Sequence, residues 1–194
     1  MTELSERELG RVRTRLFDLG KSFFAAAPDA EILGRWRGIV TALERESISP
    51  AMDEAVENLS RLLGEMNLQQ IRDEFYELFI NPYSEHSVNL TGSAQLNGKP
   101  YGETLVAYRE FLKEAEIGKR ADIPESEDSL VLMLDAMITL VEQDNAPMQE
   151  KLLNEFLLPA CSSLTAHLHN NPAARFYTTC AEFLQAYLEL EKSL

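Results

Sequence analysis

Between Ala121 and Glu150 the chain carries eight acidic residues, at 122, 125, 127, 128, 135, 142, 144 and 150, and no lysine or arginine. Carboxylates at this density can hold a metal, act as acid and base, or accept charge-assisted hydrogen bonds from a cationic partner. Asp128, Asp135 and Glu142 are seven apart, so on a single helix they lie close to one face, with Thr139 between the last two. Asp135 sits inside the most apolar run of the chain, LVLMLDAMITLV. The stripe reads either as the solvated side of that helix, with Asp128 favoured by the helix dipole, or as an acidic rim for an arginine-rich segment. In the rim reading each shielded contact is worth about 1.5–3 kcal/mol. A second cluster, Tyr83, Glu85, His86 and Tyr101, borders a loop. Tyrosines there either pack down on the core or wall a groove, offering apolar area together with a hydroxyl.

Other chemistry is thinly represented. The chain has no GxSxG, Walker A, dinucleotide fingerprint or HExxH. Its three histidines are His86, His167 and His169, and the last two, two apart, point to different faces of a helix. No Glu-x-x-His pair suits a di-iron bundle. Cys161 and Cys180 form no CxxC and lie in apolar helical surroundings, which suits small core residues better than nucleophiles, zinc ligands or a disulfide framework. These readings favour a protein that binds another polypeptide, with no catalytic residues, metal or cofactor.

Charge narrows the partner. The 18 Lys+Arg against 32 Asp+Glu give a net charge of −14, which repels nucleic acid and anionic lipid and attracts a basic segment, besides favouring solubility. The N-terminal MTELSERELGRVRTRLF lacks an apolar h-region, and no stretch reaches the roughly 18 apolar residues of a spanning helix. A reducing cytoplasm is the expected compartment.

The elements that must position these side chains read as helices almost throughout. Ser5-x-x-Glu8 is a capping box for a helix running toward Ala27; Asp29 caps the next, with a stripe through Leu33, Trp36 and Val40. Ser49-Pro50 opens a third helix, and Asn67 a fourth with Ile71, Phe75, Leu78 and Phe79 on one side. From about 80 to 101 the period disappears, leaving an irregular loop of about twenty residues that is long for a helical domain. Helical spacing resumes near Glu103 and ends at Gly118, before a link at 118–126 that reads as a possible hinge for domain exchange. Ser126 or Asp128 then starts the apolar central helix, and Asn145-Ala146-Pro147 precedes another, kinked at Pro159. Asn171-Pro172 repeats the cap-plus-proline signal before the last helix. No window alternates with period two, so the expected fold is all-α, one domain over 1–194 with about eight or nine helices.

Three stretches carry a family resemblance: EFYELFINPYSEHSVNL, YREFLKEAEI and PESEDSLVLMLDAM. Together with the closing RFYTTCAEFLQAYLELE they resemble the TorD/DmsD/NarJ family of cytoplasmic chaperones for molybdenum-containing redox enzymes. The family's Tyr-x-x-Leu-Phe is represented by the one-residue-shorter Tyr76-Glu77-Leu78-Phe79, and its Glu-Pro-x-Asp-His signature falls on Glu125-Ser126-Glu127-Asp128-Ser129. Ser126 stands for the signature proline, Ser129 for its histidine, and Asn81 for the usual glycine before Pro82. A role that needs the imidazole is therefore not carried over.

The resemblance implies a chaperone that binds the N-terminal peptide of a molybdoenzyme catalytic subunit, often a twin-arginine signal, and assists cofactor loading, folding and export proofreading. On that reading Glu125 and Asp128 pair with the arginines, and Tyr83, Tyr101 and Leu130 border the apolar part. Glu85, Ser129 and Asp135 complete the expected peptide-binding set. Alternatives are a NarJ-like assembly chaperone for a non-exported or membrane-associated oxidoreductase and, from other classes, a structural subunit or a nucleotide-binding helical protein. The chain is expected as a monomer or a domain-exchanged dimer.

Overall fold

Helix after helix in this chain starts where a side chain can take over an orphaned backbone N–H. The computed structural model describes residues 6–118 and 124–193; Ser5 of the expected capping box and residues 119–123 of the expected hinge, Asp122 among them, lie outside that range. Among the described residues there are ten α-helices, two π-helical turns and no strand. They are α1 (Glu6–Ala25), α2 (Ala30–Leu43), α3 (Pro50–Glu65), α4 (Leu68–Phe75), α5 (Gly92–Asn97), α6 (Glu103–Glu114), α7 (Leu130–Glu142), α8 (Ala146–Leu152), α9 (Leu158–His169) and α10 (Phe176–Glu191). The π turns, Tyr76–Ile80 and Leu153–Leu157, continue α4 and join α8 to α9. The all-α class is as expected.

Asp29 accepts from the Ile32 amide, Ser49 from Met52, and Asn145 from Met148. Asn67 and Gln70 form a reciprocal capping box. Two starts differ from the expectation. The central helix α7 is capped by Ser129, which accepts from Leu132, so Asp128 lies outside the helix and the stripe 128–135–142 is not one helical face. The last helix, α10, begins at Phe176 rather than beside Asn171-Pro172. Asn171 instead folds a local turn, accepting from the Ala173 amide and donating its side-chain N–H to the His86 carbonyl. The amides at the head of α10 are taken by Glu74 of α4: Arg175 and Tyr177 N–H donate to Oε1 and Phe176 N–H to Oε2, at 2.8–3.1 Å. A carboxylate suits the positive end of a helix.

The expected long loop is also broken. Thr91 caps the six-residue α5, which ends at Gly98 with φ +72°, a left-handed conformation open to glycine at little cost. Six residues are too few to show a helical period. Pro159 is the second residue after the π turn Leu153–Leu157, whose wider winding accommodates its missing N–H and its ring.

The chain divides into two units, one of Met1–Ser22 with Leu90–Ala160, the other of Phe23–Asn89 with Cys161–Leu194. In the second unit α10 packs on α3 and α4 around an aromatic cluster. The single tryptophan, Trp36, is fully buried, stacked on Phe176 and met edge-on by Phe23. Tyr177 contacts Phe24, Phe75 and Phe79. Cys161 and Cys180 are buried here, and burial pushes the Cys161 thiol up to about 12 and Cys180 well above the ordinary thiol value, leaving both unreactive. In the first unit α7 buries Leu130, Met133, Leu134, Ala136, Met137 and Leu140, while Tyr108, Phe111 and Phe156 pack ring to ring. The Gln149 side chain links α8 to α7 and α1, donating to the Leu140 carbonyl and accepting from Arg13. No described helix is long and apolar enough to cross a membrane.

Candidate functional site

The segment before α7 is sewn to the segment before α5. Gly92 N–H donates to the Asp128 carbonyl (2.7 Å) and Leu130 N–H to the Leu90 carbonyl (2.8 Å), an isolated antiparallel bridge pairing Thr91 with Ser129. Asp128 is 0% exposed. Its Oδ2 accepts from the Ser93 amide at 2.7 Å and its Oδ1 from the Ser126 hydroxyl at 2.6 Å. Both carboxylate oxygens are thus engaged inside the fold. A serine at 126, where the resemblance has proline, supplies one of those donors.

Ser93, also fully buried, turns its hydroxyl oxygen to the next turn and accepts from Tyr101 N–H at 3.1 Å. Tyr101 has φ +61°, a left-handed conformation that costs a residue with a side chain about 1–2 kcal/mol. The residue is 76% exposed. The turn is pinned on its far side too. Asn97 Oδ1 accepts from Thr104 N–H, supplying the cap that Gly102 has no side chain to provide. A Cβ at Gly102 would come within 2.5 Å of that oxygen, so only glycine fits.

Of the other expected residues in this unit, Ser129 and Leu130 are buried, Ser129 as the α7 cap. Glu125 is exposed. Asp135 is half-exposed and paired with Lys21 at 2.8 Å, and Lys21 also reaches Asp18 at 3.1 Å. Burial pulls the Lys21 pKa down, but the hydrogen bonds to Asp135 and Asp18 outweigh it and leave it raised. Behind Asp128, the Tyr108 hydroxyl is buried without a hydrogen-bond partner among the described residues. Burial first, then the negative charges of Asp128 and Asp135, push its pKa up and keep it a neutral phenol. An open cleft of about 340 Å³ lies beside Val106, Leu112 and Ile117, with Arg109 in a forked pair to Glu127 on its rim.

Tyr83 and Glu85 fall in the other unit. Tyr83 is 92% exposed, and Tyr76 and Ile80 of the preceding π turn are each more than half exposed. The loop that carries Tyr83 is held from below. Glu77 accepts from the Ser84 hydroxyl (2.6 Å) and the Asn81 side-chain amide (3.2 Å), which draws its pKa below the ordinary glutamate value. Tyr83 N–H donates to Asn81 Oδ1 and Val88 N–H to the Leu78 carbonyl. Tyr76 and Ile80 were not among the expected contacts; their one signal is that they fall off the apolar stripe Ile71, Phe75, Leu78. Ser93 gave none, being a small polar residue in an aperiodic stretch.

Each unit thus displays aromatic side chains, Tyr101 in one and Tyr76 and Tyr83 in the other, on a chain of net charge −14. Comparison with known proteins places the chain in a family. The profile of the nitrate reductase delta subunit family matches residues 45–189. The chain belongs to this family, the NarJ/TorD type of redox-enzyme maturation chaperone. A solved structure from Archaeoglobus fulgidus, assigned as a redox enzyme maturation protein, has the same fold. It shares 16% sequence identity and a TM-score of 0.55, over 91% of this chain and 93% of that one. No curated protein sequence matches the chain significantly. The family is one of maturation chaperones and not of catalysts.

Proposed function

We propose that this chaperone binds, in the cytoplasm, the N-terminal leader of a molybdenum-containing oxidoreductase catalytic subunit, a twin-arginine signal where the client is exported. The observation that carries this reading is the set of large exposed side chains, Tyr76, Ile80 and Tyr83 in one unit and Leu96, Tyr101 and Val106 in the other, on a chain of net charge −14. A leader has a basic n-region followed by an apolar h-region. The acidic surface attracts the first, and exposed tyrosines offer the second apolar area with little entropy to lose. Holding the leader hides the export signal until the client has its cofactor and has folded.

Within this reading Tyr83, Glu85, Tyr101 and Glu125 are the side chains placed to touch the peptide. Ser129 and Leu130, buried in the unit that carries Tyr101 and Glu125, act there as support, and Asp135 offers its half-exposed carboxylate beside Lys21. The test is titration calorimetry with a synthetic twin-arginine leader, comparing wild type, Tyr83→Ala and Tyr101→Ala, so that each unit is probed by itself. Loss of affinity by roughly tenfold in at least one variant, with unchanged circular dichroism, is the expected result for an interface anchor. No measurable binding by wild type would overturn the reading. Equal binding of a leader with its arginine pair replaced by alanine would favour assembly of a non-exported oxidoreductase.

A further inference from the structure

The sequence singles out Asp128 as an arginine ligand, yet the structure seals it away from solvent with both oxygens engaged. The same network ends on the one exposed tyrosine whose backbone is in the left-handed region. We infer that Asp128 is a positioning residue, which through Ser93 holds Tyr101 in its left-handed conformation and thereby presents the Tyr101 ring to the client peptide. This rests on the leader-binding reading and deepens it.

Three observations carry the inference. First, Tyr101 gains nothing for the core from its conformation, because its side chain stands largely in solvent. A strained backbone persists only where its surroundings over-determine it, and such strain collects at functional positions. Second, the surroundings do over-determine it. Ser93 Oγ takes the Tyr101 amide, Asn97 takes the Thr104 amide, and Gly98 and Gly102 flank the turn. Third, Ser93 is itself fixed by a fully buried carboxylate, a costly group to bury unless its hydrogen bonds are complete. Those bonds go to Ser93 and Ser126, and Ser93 alone passes the constraint on to Tyr101.

A positioning role and a charge-pairing role diverge in four variants. Ser93→Ala keeps the amide that Asp128 binds and removes only the acceptor for Tyr101 N–H. Asp128→Asn keeps an acceptor for Ser93 and can donate to Ser126, while losing the charge. Asp128→Ala loses everything, and Tyr101→Gly removes both ring and strain. With the twin-arginine leader, Ser93→Ala is expected to weaken binding severalfold. Asp128→Asn should retain affinity and the wild-type salt dependence, because no phase of recognition uses its charge. The loss from Ser93→Ala should disappear in a Tyr101→Gly background, where there is no ring left to aim.

A second readout needs no peptide. Tyr101→Gly should raise the urea midpoint of the wild type by relieving the left-handed strain, and raise that of Ser93→Ala less, where the turn has already relaxed. If Asp128→Asn loses binding and its salt dependence together, the carboxylate is a ligand and the positioning role falls. If the Ser93 and Tyr101 effects simply add, the coupling does not exist and the role falls equally. Both outcomes leave the leader-binding reading of the wild type standing. A wild type that binds no leader sinks the functional reading, and the urea cycle, repeated in an Asp128→Ala background, then still decides whether Asp128 and Ser93 hold the Tyr101 turn in its strained form.

Discussion

Glu77 shows how much order one carboxylate can impose on a loop. It sits in the π turn after α4 and reaches forward to Ser84 and Asn81, so the chain that displays Tyr83 closes over it. Those hydrogen bonds, Ser84 first, favour the charged form and depress its pKa. A depressed carboxylate contributes stability that is complete above its unfolded value, about 4.5, and is lost as the pH falls through the lower folded value. Amide exchange of Ser84 and His86 should therefore be faster in Glu77→Ala than in wild type at pH 6, both compared at the same pH. The two proteins should converge only as the pH falls through the depressed folded value. Exchange that never differs would mean the loop is held by its backbone bonds alone. The sequence pointed to this loop through Tyr83 and His86, but an acceptor four to seven residues away has no periodic signature and was not visible in it.

Helix starts teach the same lesson from the other direction. Caps made by a residue on its own helix, at Asp29, Ser49, Asn67 and Asn145, could be read directly because their spacing to the bonded amide is fixed. The start of α10 could not, because Glu74 is about a hundred residues away and caps from another helix. Asn171-Pro172 imitated the local signal and misplaced the boundary by four residues or so. The π turns were likewise hidden, since the apolar stripe of α4 runs on through Leu78 and Phe79 whether the winding is α or π. Glu74→Ala leaves three amides without an acceptor at a buried helix head. It should cost at least about 1–3 kcal/mol, read as a lower urea midpoint with unchanged slope. Glu74→Gln should recover part of that, because its one remaining carbonyl oxygen can still serve Arg175 and Tyr177. A loss within a few tenths of a kcal/mol for Glu74→Ala would show that local water replaces the carboxylate.

Taken whole, the molecule is acidic, and the proposed attraction of a basic leader belongs to that scale and not to any single contact. Leader binding should weaken steadily as NaCl rises from 10 to 150 mM, since the screening length falls to about 8 Å over that range. A leader with neutral residues in place of its basic n-region should show a nearly flat response, and the same steep fall for both peptides would locate the attraction elsewhere. The all-α class could be read from caps and stripes, and the family from motif order. The division into two units could not, because it depends on which distant segments pack together. One feature of that packing governs how binding can be watched. Trp36 is the only tryptophan and is shut inside an aromatic cluster, so its emission reports whether that core is intact. A client settling on exposed tyrosines should leave the emission maximum unmoved while tyrosine emission changes. The native chain thus carries two optical channels, one for integrity and one for occupancy, with no dye attached.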